Sequence, residues 1–216
     1  LRSGSGAMPD PGVRPKELNG RLLQQSDLVA AEPVRLAPGK PDRTFKVALE
    51  RKYPNHSTNY AIIPHSFADV MMRDFPEVEE VIKIGGPVNN VVVNYTDRLN
   101  NVKQFEENFI IFSDSNFFNV FTIPVLKGDP GKALRNNNDL VVTQSTARRY
   151  FGTDEAVGKT LRFFNQDFIV SAVCEDVPEN SHMKFDFMAK WTDQNFGGRG
   201  PNFTGFTSHV YLVLKP

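Results

Sequence analysis

Apolar and polar positions along this chain change period several times, and each change marks an element. Thr44 to Glu50 has strand character. Pro64 to Phe75 has helical spacing, with Phe67, Val70, Met71 and Phe75 on one face, Pro64 suited to a first turn and Pro76 as a stop. Val78 to Ile84 then alternates apolar and charged residues as a half-buried strand does, which predicts a β-α-β unit from 44 to 84. Such a unit packs one helix face on a sheet. Val88 to Tyr95 and Val102 to Phe112 read as two more strands, joined by a polar turn over 96–101.

Asn116 to Phe121 is rich in phenylalanine but short, so a single helical turn plugging a core is expected. Leu140 to Val142 forms a short strand running into Thr143, an N-cap for a helix through Phe151 that Gly152 ends. Leu161 to Phe164 and Phe168 to Cys174 predict a hairpin across Asn165, Gln166 and Asp167, and His209 to Leu214 a late strand. Asn195 to Gly205 holds Gly197, Gly198, Gly200 and Pro201 and reads as a loop. The fold class is α+β, with more strand than helix.

The first 41 residues differ in character. Prolines at 9, 11, 15, 33, 38 and 41 interrupt any periodicity and Ser3-Gly4-Ser5-Gly6 resembles linker, so 1–41 is expected to be a poorly ordered leader, a cloning scar or sequence unrelated to the fold. With 216 residues, 40% of them hydrophobic, the remainder can bury a core as one domain or two small lobes. Lys plus Arg and Asp plus Glu balance at 25 each, so no net field selects nucleic acid or an anionic membrane. The single cysteine, Cys174, lies in an apolar run and has no intramolecular partner. No window approaches the roughly 18 to 20 apolar residues of a spanning helix.

Patterns that suggest chemistry have plainer explanations. Gly158-Lys159-Thr160 with Gly152 upstream resembles a phosphate loop, but five residues separate the glycines where that motif has four, and a helix precedes it instead of a strand. The histidines at 56, 65, 182 and 209 are scattered; His182 stands near Glu175, Asp176 and Glu179, a grouping that solvated loop carboxylates explain, and no metal is predicted. Ser66, Ser145, Ser181, Asp114, Asp129 and Asp176 occupy helix starts or turns, where their side chains bond to backbone amides. No nucleophile, base and oxyanion group come together, so no catalytic residue, no cofactor and no enzyme activity are expected. The 18 phenylalanines stand among Glu106, Glu107 and Asp114 rather than in a basic groove, which favours core packing over base stacking.

Between Phe105 and Phe187, blocks that no local rule requires follow in fixed order: Asp114 to Phe121, Pro124 to Pro130, Ala133-Leu134, Leu140 to Thr143, Ala147 to Gly152, Val157 to Leu161 and Glu175 to His182. This order resembles the MacB-like periplasmic core domain of ABC transporter permeases, of MacB/FtsX type and Bacteroidetes-like, over about residues 42–216.

The resemblance implies a two-lobed core. A membrane-proximal lobe would hold the β-α-β unit and the last strand, and residues 136–190 would form an inserted, mostly β outer lobe. Relatives carry a membrane helix upstream of Asp42 and a further helix and strand after the last strand here, so a core truncated at its C-terminal end is expected. The implied function is noncatalytic: cytoplasmic ATP hydrolysis is coupled to export or substrate release on the outer side of the bacterial inner membrane, with this domain in the periplasm. The implied partners are the transmembrane part of the same permease, a cytoplasmic ABC ATPase subunit, a second permease copy and a periplasmic adaptor or outer-membrane component, without nucleic acid. Exposed loops are where such a domain meets partners; the candidates are Pro178, Glu179, Asn180, Ser181, His182 and Met183, and Gly197, Gly198, Arg199 and Gly200. A free-standing extracytoplasmic binding or adaptor domain of the same fold is the alternative.

Overall fold

Runs rich in Val, Ile and Phe outnumber helical ones, and a sheet is the result. A computed structural model describes residues 21–24, 35–36, 41–97, 99–179, 181, 183–197, 201 and 203–216. The first half contains β1 (Arg21–Gln24), β2 (Arg35–Leu36), β3 (Thr44–Lys52), β4 (Ser57–Tyr60), α1 (Ser66–Asp74), β5 (Val78–Val88), β6 (Val91–Thr96), β7 (Val102–Glu107) and β8 (Ile110–Ser113). The second contains α2 (Phe117–Val120), β9 (Phe121–Thr122), β10 (Val125–Gly128), β11 (Asp139–Thr143), α3 (Gln144–Phe151), β12 (Thr160–Phe163), β13 (Gln166–Cys174), β14 (Phe187–Lys190) and β15 (Ser208–Leu214). A 13-stranded sheet takes the order β1-β3-β15-β5-β8-β14-β11-β13-β12-β6-β7, with β10 added on β13 and β4 on β3. The fold is mixed α+β and sheet-dominated, as the periodicities imply.

The central strands are buried on both faces. Leu140 and Val142 of β11 pack with Ala147 and Tyr150 of α3, while Val141 between them packs with Phe117, Ala172 and Met188 on the opposite face. Strands covered on both sides lose the apolar-polar alternation, and for this reason β14, whose Phe187, Met188 and Ala189 are all buried, escapes periodicity. An irregularity between Leu140 and Val141 leaves Ser171 of β13 unpaired with β11. Because side chains alternate with period two, this bulge puts Val170 on one face and Ala172 on the other. β10 comes close to the bulge: Gly128, at φ 91°, leaves no room for a Cβ, which would lie 2.5 Å from the Ser171 carbonyl oxygen.

Several expected boundaries move. The β-α-β unit exists, but β15 lies between β3 and β5 and pairs antiparallel with both, so the unit is split by the end of the chain. The strand expected over 102–112 is two: the backbone turns at Phe109, at φ 58°, and β8 leaves β7 to pair with β5 and β14. β5 also runs on through Val88, so β6 starts later than expected. The later hairpin turns at Phe164-Asn165, both at positive φ, rather than over Asn165 to Asp167. α3 ends at left-handed Gly152 as expected, but Thr143 caps it differently. Its hydroxyl bonds to Thr146, and the Ser145 amide donates instead to the Asp176 carboxylate at 2.9 Å. α2 is the expected plug, with Phe117 and Val120 buried and the Phe121 ring edge-on to Tyr211. Within 1–41, β1 pairs with β3 and β2 with β9.

Candidate functional site

The two loops singled out from sequence flank β14, one before it and one after it. In the first, Pro178 and Glu179 are exposed, but the chain then turns inward. The Ser181 amide donates to the Pro178 carbonyl at 2.9 Å, and the Ser181 hydroxyl accepts from the Met183 amide at 3.2 Å. Ser181 and Met183 are each only 6% exposed, and Met183 joins Phe185 in the core beside α2. Among the described residues of this loop, Pro178 and Glu179 are the exposed ones. Asn180 and His182 lie outside the described residues, as do Gly198, Arg199 and Gly200.

In the second loop, Gly197 ends a π-helical turn over Asp193–Gly197. Asn195 holds that turn by donating to the carbonyls of Asn137 and Lys190 at 3.0 and 3.1 Å. Farther on, the Phe203 ring meets Phe67 of α1 edge-on at 5.5 Å, and Phe206 lies 4.6 Å from Tyr60 of β4. The glycine-rich stretch is thus tethered at both ends to the sheet and α1.

Two clusters of ionisable groups involve none of the loop residues singled out from sequence. Lys83 of β5 lies 3.5 Å from Asp69 of α1 and 3.8 Å from Asp114, with its ammonium over the Trp191 ring. Burial raises Asp114 above the usual carboxylate range against the opposing pull of Lys83, and burial lowers Lys190. His65, at the start of α1, is lowered by burial and then by Lys83, and its Nδ1 has no partner among the described residues. A cleft of about 300 Å³ opens between Met72 of α1 and Asp114.

The second cluster ties β7 to α3. Glu107 accepts from the Tyr150 hydroxyl and from Arg149, both at 2.8 Å, and Arg149 reaches Asp186 at 3.9 Å. Burial raises Glu107 despite these bonds and raises Tyr150 as well. Sequence gives no hint of either cluster, because Lys83 and Glu107 read there as ordinary solvent-facing charges of strands. A cleft of about 440 Å³ runs between Asn89–Asn94 and Arg162–Asn165, lined by asparagine amides, Arg162 and Phe164.

Among the described residues no three His, Cys, Asp or Glu side chains are placed to hold a metal ion, and no helix is long and apolar enough to cross a membrane. Cys174 is buried and its thiol is pushed up to about 12 by desolvation, which leaves it unreactive. The arrangement offers surfaces and ion pairs.

The model of one family, the MacB-like periplasmic core domain, matches residues 16–216. The chain belongs to that family. The match begins well ahead of Asp42, so the MacB-like region takes in β1 and β2. Among solved structures, a domain of a proposed permease protein from Porphyromonas gingivalis shares 19% identity at a TM-score of 0.61, over 81% of this chain and 76% of that one. The periplasmic region of MacB from Actinobacillus actinomycetemcomitans gives 14% identity and a TM-score of 0.48, over 70% of this chain and 64% of that one. The extracellular domain of the noncanonic ABC-type transporter YknZ from Gram-positive bacteria gives 12% and 0.47, over 72% and 74%. A comparison with curated proteins gave no match. At these identities the likeness is one of fold, and the MacB-like periplasmic core domain is a part of ABC transporter permeases.

Proposed function

We propose that this domain is a noncatalytic mechanical part of an ABC transporter permease of the bacterial inner membrane. It passes motion driven by a cytoplasmic ATPase to events on the outer side of the membrane. The observation that carries this reading is the continuity of the sheet. β5 and β15, under α1, join β11 and β13, under α3, through β8 and β14, and one hydrophobic cluster spans both regions. A sheet covered on both faces is stiff, and stiffness is what a lever needs. The α1 region would form the membrane-proximal lobe and residues 136–190 the outer lobe. The other components would be the membrane helices of the same permease, the ATPase, a second permease copy, and an adaptor or outer-membrane component met by Pro178, Glu179 and the stretch over 197–205.

The experiment uses the assembled permease with its ATPase in vesicles. Pro178→Ala combined with Glu179→Ala is expected to leave the unfolding midpoint and ATP hydrolysis unchanged while export or partner capture falls several-fold. Loss of folding, or unchanged export and capture, would remove these loops from the contact surface. Partner capture with no permease or ATPase associated would favour the free-standing adaptor.

A further inference from the structure

Among the described residues, β7 closes one end of the sheet and pairs with β6 and no other strand. A free strand edge is a template for another strand, and proteins commonly guard such edges with proline, a bulge or charges. β7 has no proline and pairs with β6 without a register shift. Two of its charges are occupied within the chain: Lys103 donates to the Tyr150 carbonyl at 2.8 Å, and Glu107 is held by Tyr150 and Arg149. Val102 to Glu106 are all exposed, among them Val102 at 63% and Phe105 at 37%.

We propose that two copies of this chain join edge to edge through β7, antiparallel, about a two-fold axis at Phe105. Charge selects that register. A two-fold axis perpendicular to a sheet pairs residues of the same face, so the axis must pass through a residue position. Centring on Lys103 or on Glu106 sets like charges opposite each other, and centring on Gln104 sets Lys103 against Phe105. Centring on Phe105 sets Lys103 against the partner's Glu107 and Gln104 against the partner's Glu106, with the two Phe105 rings as an aromatic cross-strand pair. The inference rests for its setting on the reading that two permease copies work together. The pairing itself is tested on the chain alone, so its failure leaves the coupling role standing.

Cys174 is fully buried, so a thiol introduced on β7 is the reactive one. Phe105→Cys and Val102→Cys chains are oxidised at equal concentration and the rate of disulfide-dimer formation is followed on non-reducing gels. In the proposed register the thiols of Phe105→Cys face each other with Cβ atoms about 4.5–5.5 Å apart. Those of Val102→Cys lie on the order of 20 Å apart. Random collision would instead favour Val102, the more exposed position. Dimer formation at least tenfold faster for Phe105→Cys is expected. Adding Gln104→Lys should speed it about threefold or more, and adding Gln104→Glu should slow it by a similar factor.

Phe105 also touches Tyr150 edge-on. A second pair therefore avoids it: an equimolar mix of Gln104→Cys and Glu106→Cys chains should yield the mixed disulfide well beyond the roughly twofold excess over either homodimer that random pairing gives. Equal or faster cross-linking of Val102→Cys, or a mixed disulfide at no more than the roughly twofold excess of random pairing, overturns the proposal.

Discussion

α1 and α3 each lie in a crossover between two parallel strands of the same sheet, from β3 to β5 and from β11 to β13, yet they are held very differently. α3 lies over β11 and β13, which are direct neighbours, and its Ala147 and Tyr150 are fully buried. α1 lies over β3 and β5, which are separated by β15, and Phe67, Val70 and Met71 on its apolar face are only half-buried. One unit closes from nearby segments, whereas the other waits for the last strand of the chain. Contacts of long sequence separation carry a larger loop-closure cost. The α1 unit should therefore be the looser half of the sheet and the α3 unit the firm half.

The largest test of that contrast is Val210→Asp, which places an unpaired carboxylate in the fully buried middle of β15. A cost of several kcal/mol is expected, and hydrogen exchange should accelerate in α1 and β3 before it does in α3. Uniform acceleration would erase the distinction. Tyr150→Ala comes next. It opens a cavity among Phe105, Phe151 and Phe187 and leaves Glu107 with one partner fewer, for about 3–5 kcal/mol by urea unfolding. Met71→Ala on the half-buried face of α1 should cost only about 1–2 kcal/mol. Asp176→Ala removes the carboxylate that caps α3 from outside its own turn and should cost about 1 kcal/mol.

The smallest effect is a slope with pH. Burial raises the folded-state value of Glu107 above its ordinary 4.5, so between the two values the folded chain binds the proton more tightly than the unfolded chain does. Its contribution is full below the ordinary value and is lost as pH rises through the raised one. Glu107→Gln should flatten that fall in stability. Asp114 and Asp186, also raised by burial, leave a residual slope of the same sign. An unchanged profile would mean that Glu107 is as well solvated as an exposed carboxylate.

Where one face of an element meets solvent, the sequence is legible. Such are β3 and the α1 stripe, whereas the Phe-rich plug of α2, β11 and β15 are largely buried and are legible as apolar runs set off by their neighbours. Where a covered run is very short or a partner comes from far along the chain, the sequence is not legible. β14 reads as an unbroken apolar run, and nothing near Val78 reveals that β15 will lie against it. Phe164 sits at φ 50°, an uncommon place for a bulky residue, which is why the hairpin turn is displaced from the polar triplet beside it. The two candidate loops show the same limit. Pro178 and Glu179 behave as a loop pattern implies, whereas Ser181 and Met183 fill the interior, because a loop that crosses an open sheet end can supply its plug. The family is legible from the order of its blocks; the ion clusters around Lys83 and Glu107 exist only through tertiary contacts.

The most direct test of the coupling role is a pair of spin-label distances in the reconstituted permease with and without ATP. One is measured within a single copy between Met72 on α1 and Val157 beyond α3, both exposed, and the other between the Glu179 positions of the two copies. A stiff lever predicts that the Glu179 distance shifts on ATP binding while the Met72-to-Val157 distance stays fixed. An unchanged Glu179 distance, or an internal distance that changes as much, would contradict it.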